Sequence, residues 1–386
     1  MLSYNLIPIP LLLNLSGRKV EQNVIFVVPR VHPNMLGLLE GFISLNFKIT
    51  LICIDSTEYI MRGNNKVRII NAQSLSFLKT FTFLRDCRPR LVILRSSNKY
   101  SRRVGRICLL LCIKTLIYEQ TNVYRQITTY EFVRDCYQVV KRALFFFHVK
   151  VISPIKFQNY SKVRKSFLKY YFLFPISLNL GINSVEKEEL FSIVIVGKLN
   201  QSRKQLLDGL LAVKASKVQA RLYIIGSLSD KLVDVDNSYE SLMEEVARET
   251  SNLKIQILPN LSHEESLSII SKSHILFLTS RDEPFSVSPL EAMALGAVPV
   301  VPDTNGSTFL IRDGVDGFVY PESSWSSAAR ILNTLFIDRK RLHSMSHEAL
   351  LRVRNEFDPQ KSVKAILDCH DLSVMHLLRD NLSPNS

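Results

Sequence analysis

Two glutamates in the second half of the chain, Glu283 and Glu291, are separated by seven residues. Ser288 and Pro289 are typical of a helix start, so Glu283 falls in the preceding loop and Glu291 in the first turn. The amides of residues 285–288 can bind an anionic or hydroxylated ligand, and both carboxylates can accept hydrogen bonds from sugar hydroxyls. A helix-dipole partner and a solvated helix face would explain the two carboxylates equally well.

A group of basic residues follows the predicted strand Phe191–Val196. Lys198 comes directly after the glycine that ends this strand, and Arg203 and Lys204 come a few residues later. Cations at the end of a strand can bind phosphates and stabilise negative charge that develops on a leaving group. Exposed basic residues on an ordinary loop are the alternative interpretation.

Alternating strands and helices position these residues. Strands are predicted at Asn23–Val28, Phe47–Ile54, Leu91–Leu94, Thr115–Glu119, Val149–Ile152, Tyr170–Phe174, Phe191–Val196, Ala220–Ile225, Leu253–Leu258, His274–Thr279, Val298–Val301 and Gly317–Tyr320, and helices at Met35–Leu45, Arg102–Ile113, Gln205–Ala215, Tyr239–Glu249, Glu264–Lys272 and Pro289–Leu295. Such alternation is typical of parallel sheets with right-handed crossovers. Two such series predict an α/β fold with two doubly wound, Rossmann-like domains whose strand ends face a shared cleft.

The domain organisation follows from these two series. We expect a lead-in segment at 1–22, a first Rossmann-like domain at 23–180, a second at 181–345, and a C-terminal helical segment at 346–386 that packs back on the first domain. Arg18 and Lys19 follow the apolar stretch of the lead-in, whereas a secretion signal carries its positive charge before that stretch. No uncharged apolar run reaches the ~18 residues that a membrane-spanning helix needs.

The residues around the two glutamates resemble the glycosyl transferases group 1 family, the retaining glycosyltransferases of the GT-B fold. The resemblance rests on the E-x7-E spacing and on Pro284-Phe285, Glu291-Ala292-Met293-Ala294, Gly296, Val298-Pro299-Val300-Val301, Asn305-Gly306, Ile311-Arg312-Asp313-Gly314 and Gly317-Phe318. It covers roughly residues 190–320. It implies a GT-B architecture, a nucleotide-diphosphate sugar as donor, an N-terminal acceptor domain, and transfer with retention of anomeric configuration.

The resemblance also implies roles for individual residues. Glu283 would contact hydroxyls of the donor sugar, and Glu291 would bind the ribose of the nucleotide. Lys198 and Arg203 stand where relatives carry an Arg and a Lys that hold the donor diphosphate, with Lys204 as the neighbouring alternative. The predicted catalytic residues are Glu283, Lys198 and Arg203, and the predicted donor-binding residues are Gly197, Lys204, Phe285, Ser286, Val287 and Glu291.

Each half of the chain departs from the family pattern at one polar position. Relatives often carry a His after the fourth strand, where Glu119 is the nearest polar substitute, and Phe309 stands where relatives often carry a Glu. Arg30 and His32 follow the first strand and are expected to face the cleft on the acceptor side, where they could contact the acceptor or the diphosphate. These departures leave open a catalytically degenerate GT-B protein that binds nucleotide sugars without transfer, and a sugar-nucleotide epimerase or phosphorylase of similar architecture.

The net charge of +14 is unevenly distributed. Residues 1–185 contain 27 Lys and Arg against 8 Asp and Glu, a formal charge of +19, whereas the remainder carries −5. This asymmetry favours a polyanionic partner, and basic residues interleaved with aromatics suit an anionic membrane surface. A solvated basic face is the alternative. Without a nucleic-acid-binding motif, we expect no nucleic-acid partner. We expect instead a cytoplasmic protein, peripheral on a membrane, with a glycan or lipid-linked acceptor.

No metal or cofactor is expected. The six cysteines lack the spacing of a zinc site or a disulfide framework, and no G-x-G-x-x-G follows the first strand of either domain, which argues against a nicotinamide cofactor. Asp234-Val235-Asp236 resembles a metal-binding D-x-D motif of another glycosyltransferase fold. It lies in a polar loop, and we interpret it as solvated surface.

Overall fold

The computed structural model describes residues 22–30, 35–55, 64–95, 99–119, 149–154, 169–171, 174–176, 186–228, 235–248, 251–281, 283–322 and 324–371. The predicted lead-in up to residue 21 and residues 177–185, which contain the expected boundary between the two domains, lie outside these ranges. Within them, the chain forms two parallel sheets, so the predicted α/β class is confirmed. None of the described helices is both long enough and apolar enough to cross a membrane.

The first sheet has the strand order β3-β2-β1-β4-β5-β6-β7. Its strands are β1 (Asn23–Arg30), β2 (Lys48–Asp55), β3 (Val67–Asn71), β4 (Leu91–Arg95), β5 (Thr115–Tyr118), β6 (Val149–Ser153) and β7 (Lys169–Tyr171), with helices α1 (Leu36–Ser44), α2 (Phe77–Cys87) and α3 (Lys99–Leu110). Helix α1 covers one face, and α2 and α3 cover the other. Successive residues of β1 are therefore buried on both faces, which explains its unbroken apolar run.

The second sheet has the strand order β10-β9-β8-β11-β12-β13. Its strands are β8 (Ser192–Val196), β9 (Ala220–Gly226), β10 (Leu253–Pro259), β11 (Ile275–Phe277), β12 (Val298–Pro302) and β13 (Phe318–Tyr320), and the helices between them are α4 (Leu206–Ala215), α5 (Ser238–Val246), α6 (His263–Lys272) and α7 (Ser288–Ala294). The central strand β8 is fully buried at Ile193, Val194 and Ile195. Its carboxyl end is the point from which the predicted basic loop departs.

Three further helices follow the second sheet: α8 (Trp325–Ile337), α9 (Arg339–Glu356) and α10 (Pro359–Asp371). Helix α9 packs on α7 and α8, and α10 packs on α1 of the first domain. The predicted boundary between residues 345 and 346 falls inside α9. The chain therefore changes domain after α9, at residues 357–358, and not within it.

Two elements of the first domain were not predicted from the sequence. Strand β3 lies at the sheet edge and is half exposed along its length, so it lacks the apolar run of a buried strand. Helix α2 exposes Phe77 and Leu78 to solvent, which disrupts its amphipathic pattern. Several predicted boundaries were also wrong by three residues: α3 spans Lys99–Leu110 and not Arg102–Ile113, α5 ends at Val246 and not Glu249, and β7 ends at Tyr171 and not Phe174.

Two glycines on one face of α1 allow other backbone segments to approach the helix closely. A Cβ at Gly37 would lie 2.7 Å from the carbonyl oxygen of Pro175, and a Cβ at Gly41 would lie 2.3 Å from that of Pro359, which begins α10. Both are clashes with backbone, which cannot rotate away. Helix α10 can therefore dock on the first domain only because residue 41 has no side chain.

We expect Gly41→Ala to lower the free energy of unfolding by about 1–3 kcal/mol, the usual cost of overpacking. Urea unfolding followed by circular dichroism measures this change. Gly105→Ala is a matched control in α3, because its added methyl would meet only the end of the Leu94 side chain, at 3.1 Å. Equal stability of the two variants would contradict a tight α1–α10 contact.

Candidate functional site

Two adjoining cavities lie at the carboxyl ends of the strands. The interdomain cavity has a volume of about 500 Å³ and is lined by both domains. The C-domain cavity, of about 300 Å³, is lined by the loop after β8, by α6 and by the start of α7. Lys198, Lys204, Glu283 and Phe285 line both cavities. The basic loop and the loop of the first predicted glutamate therefore meet at the junction of the two cavities.

The carboxylate of Glu283 is paired with two cations of the β8 loop. Its Oε2 accepts hydrogen bonds from Lys204 Nζ and from Arg203 Nη1, the latter at 3.2 Å. Burial by itself would raise the pKa of Glu283, but the charges and hydrogen bonds of Lys204 and Arg203 lower it below its ordinary value. The Lys204 side chain is only 12% exposed, whereas that of Arg203 is 39% exposed. Arg203 is thus the more accessible of the two cations to a ligand.

Backbone contacts hold the Glu283 loop against the β8 loop. The Thr279 hydroxyl donates to the Lys204 carbonyl at 2.6 Å, and the Arg281 amide donates to the Arg203 carbonyl at 2.8 Å. On the other side, the Gly306 amide donates to the Glu283 carbonyl at 2.8 Å. A Cβ at Gly306 would lie 1.7 Å from the Pro284 carbonyl oxygen, so only glycine permits this approach.

The end of the neighbouring strand β9 packs closely against the start of the β8 loop. A Cβ at Gly226, the last residue of β9, would lie 1.5 Å from the carbonyl oxygen of Gly197. Asp236 lies at the surface, as predicted, and its carboxylate also accepts hydrogen bonds from the amides of Ser202 at 2.7 Å and Ser238 at 3.0 Å. Hydrogen bonds from Ser238 and Ser202 lower the pKa of the Asp236 carboxyl. The anchoring role was missed because a local D-x-D pattern does not show that the carboxylate holds a loop 34 residues earlier.

The second predicted glutamate has a histidine partner that the sequence analysis did not single out. Glu291, in the first turn of α7 and 8% exposed, lies with its Oε1 2.8 Å from His263 Nε2. His263 is the first residue of α6, and both side chains line the C-domain cavity. A capping box between Ser262 and Glu265 fixes this helix start. That motif is readable in the sequence and places His263 at the N-terminus of the helix.

The residues before α7 are engaged in packing and hydrogen bonds. Phe285 packs on Phe174 of the first domain, with ring centroids 5.3 Å apart. The Ser286 amide donates to Ser307 Oγ at 2.7 Å, so this amide, one of those predicted to bind a ligand, already has an acceptor. Val287 is buried and borders the C-domain cavity.

On the side of the first domain, the wall of the interdomain cavity differs from the predicted one. Arg30 at the end of β1 lines it, as do Arg95 and Tyr118. Glu119 is not among its lining residues, because neighbouring side chains along an extended segment point in opposite directions. His32 lies outside the described residues. Arg95 and Tyr118 were missed because strands β1, β4 and β5 are distant in sequence and become neighbours only in the sheet.

The described part of the chain contains no group of three or more His, Cys, Asp or Glu side chains placed to hold a metal ion. Of the motif at 234–236, residue 234 lies outside the described ranges. The expectation that the protein works without a metal or cofactor stays a prediction.

Lys187 joins the far ends of the two helices that carry His263 and Glu291. Its ammonium donates to the carbonyl of Ser273 at the end of α6, at 2.8 Å, and to that of Leu295 at the end of α7, at 3.0 Å. A cation at a helix C-terminus is stabilised by the helix dipole. Burial lowers the pKa of the Lys187 ammonium to about 7. The two helices are thus linked at both ends, by an ammonium at one and by the His–Glu pair at the other.

The arrangement of two parallel sheets around adjoining cavities is shared with known structures. Similar solved structures include Alr3699/HepE of Anabaena in complex with UDP and glucose, at a TM-score of 0.69, with 14% identity and coverage of 90% of this chain and 99% of that one. A glycosyltransferase of Rickettsia africae ESF-5 superposes with a TM-score of 0.68, 14% identity and coverage of 95% and 100%. The chain has the GT-B architecture, as the sequence resemblance implied.

The sequence comparison finds a family match for the second domain. Residues 182–352 match the model of the glycosyl transferases group 1 family. A curated relative, the glycogen synthase of Pseudomonas savastanoi pv. phaseolicola, is 27% identical over 150 residues, which are 38% of this chain and 29% of the relative. The chain thus spans less than a third of the length of that relative.

Lys187 should make stability depend on pH. The unfolded lysine keeps its proton up to about pH 10.5, so between pH 7 and 10.5 the unfolded state binds more protons and the free energy of unfolding rises with pH. We expect wild type to gain about 2 kcal/mol relative to Lys187→Met between pH 7 and pH 9. Urea unfolding at the two pH values measures the gain, and the exposed Lys254→Met is the control. A pH-independent difference would contradict the inference.

Proposed function

We propose that this protein is a glycosyltransferase that transfers a sugar, with retention of configuration, from a nucleoside-diphosphate sugar to a glycan or lipid-linked acceptor. The proposed role is the synthesis of a cell-surface polysaccharide or glycoconjugate. The observation that carries the proposal is the Arg203–Lys204–Glu283 cluster at the junction of two cavities. It places cations beside a carboxylate where the diphosphate and the sugar of one donor would adjoin.

In this proposal, the diphosphate of the donor binds to Lys198 and Arg203. Both side chains line the interdomain cavity, and Arg203 has the exposed surface that such contact needs. Their charges would stabilise the diphosphate as it leaves the sugar, which is electrostatic catalysis by preorganised groups. Lys204 is largely buried against Glu283, so its main part would be to hold that carboxylate toward the sugar hydroxyls.

The nucleoside would occupy the C-domain cavity. Glu291 is the acceptor for the ribose hydroxyls that the family resemblance implies, and one of its oxygens is held by His263. This contact fixes the carboxylate before a ligand arrives, which reduces the ordering cost of binding. Closure of the two domains on the donor would exclude water and limit its hydrolysis.

A thermal-shift screen of UDP, GDP, ADP and their sugar conjugates tests the donor site. A ligand at 100 times its dissociation constant stabilises the folded state by ~2.7 kcal/mol. We expect one base to shift wild type selectively, and Arg203→Met and Glu291→Ala to weaken its binding at least tenfold, since a hydrogen bond to a charged group contributes about 1.5–3 kcal/mol.

The control for these variants is Arg330→Met, an exposed residue of α8 away from both cavities. Absence of any nucleotide shift in folded wild type would overturn the proposal and favour a degenerate GT-B protein. If a donor binds, release of its nucleoside diphosphate with a glycan acceptor, and the anomeric signal of the product by NMR, test transfer and retention.

The charge of +19 in residues 1–185 supports a further part of the proposal, peripheral binding to an anionic membrane that carries the acceptor. Helix α2 exposes Phe77 and Leu78, and the neighbouring α3 carries Arg102, Arg103 and Arg106. We expect the protein to float with vesicles that contain anionic lipid and not with neutral vesicles, and the difference to shrink at high salt. Equal flotation with both, or with neither, would contradict membrane binding.

A further inference from the structure

The two walls of the interdomain cavity carry cations that face one another across the cleft. The second domain contributes Lys198, Arg203 and Lys204, and the first contributes Arg30 and Arg95. Among the described lining residues, the carboxylate is that of Glu283, and it is already paired with Arg203 and Lys204. The first domain therefore places two guanidinium groups on this wall of the cavity.

The sheet brings the two arginines of the first domain together. Arg30 ends β1 and Arg95 ends β4, and these strands are parallel neighbours paired at Val24 with Leu91 and onward. Both arginine side chains are exposed while they line the cavity. The Arg95 guanidinium carbon lies 5.8 Å from the ring centroid of Tyr118, a cation–π contact that orients the group.

The charge on this wall is not needed for the donor. A nucleoside diphosphate that binds as proposed is met by the cations of the second domain. Two further cations across the cleft have no net Coulomb attraction for a neutral sugar, but they would hold an anion by charge-assisted hydrogen bonds. Guanidinium groups suit phosphate and carboxylate in particular, since their planar donors bind both oxygens of such a group.

The remainder of the wall is apolar. Its described residues are Phe26, Val28, Pro29, Met35, Leu38, Ile93 and Phe174. An acceptor that fits this wall combines an anionic group for the arginines with an apolar or stacking surface beside it. The wall therefore favours acceptors that carry both an anionic group and an apolar surface over acceptors that carry an anionic group alone.

We propose that the acceptor carries a phosphate or carboxylate, which Arg30 and Arg95 bind on the wall of the first domain while the donor occupies the opposite wall. The identification of the bound anion as an acceptor rests on the proposed glycosyltransferase function. The anion site itself is formed by residues of the first domain. A soluble sugar phosphate or uronate and a lipid-linked phosphate share this chemistry.

Calorimetric titration of protein saturated with UDP, or with the nucleoside diphosphate that gives the largest shift, tests the site. The probes are glucose 6-phosphate, glucuronate, monododecyl phosphate below its micelle concentration, and methyl glucoside as the neutral counterpart. We expect an anionic probe to bind and methyl glucoside not to bind. Arg30→Met and Arg95→Met should weaken that binding at least tenfold and leave nucleotide binding unchanged, whereas Arg68→Met, exposed on the edge strand β3 and outside the cavity lining, should change neither.

The outcomes separate the two proposals. Preference for glucose 6-phosphate or glucuronate indicates a soluble acceptor, and preference for dodecyl phosphate indicates a lipid-linked one. Anion binding that is unaffected by Arg30→Met and Arg95→Met, or no anion binding to nucleotide-loaded protein, overturns the anionic acceptor while the donor site stands. If no nucleotide binds, the donor proposal fails. The same titrations on free protein, with Arg30→Met and Arg95→Met, then test whether the two arginines bind the anionic probe.

Discussion

The ion pair between Lys204 and Glu283 is the contact on which the rest of the site depends. It joins the loop after β8 to the loop after β11, and these two loops border both cavities. A buried pair of this kind is stable only while both partners remain, because either charge alone would be poorly solvated. The sequence therefore has to fix both loops by other means, and it does so through backbone contacts on either side of the pair.

Glycine makes those backbone contacts possible. Gly226 lets the end of β9 pass beneath the β8 loop, and Gly306 lets the segment after β12 pass beside the Glu283 loop. Neither approach leaves room for a β-carbon. The positions of the charged groups are thus set by close backbone packing more than by their own side chains, which is how a rigid site is built on loops.

The sequence was sufficient for features that are local and insufficient for those that are not. Buried strands such as β8 and β9 and the start of α7 at Ser288 follow from apolar runs and helix-start residues. The edge strand β3 was not predicted, because its residues face solvent. His263 and Arg95 were not predicted as site residues, because their importance comes from Glu291 and Arg30, which are neighbours in space but distant in sequence. No pattern within a single segment encodes such a neighbour.

The described segments next to the two passages between the domains lie side by side. The Ile176 amide donates to the Phe357 carbonyl, which follows α9, at 3.3 Å. On either side of that contact, the glycines of α1 admit the backbone of Pro175 and of Pro359. A shift of α1 would therefore displace both segments together, so this one helix mechanically couples the two stretches of chain that border the passages.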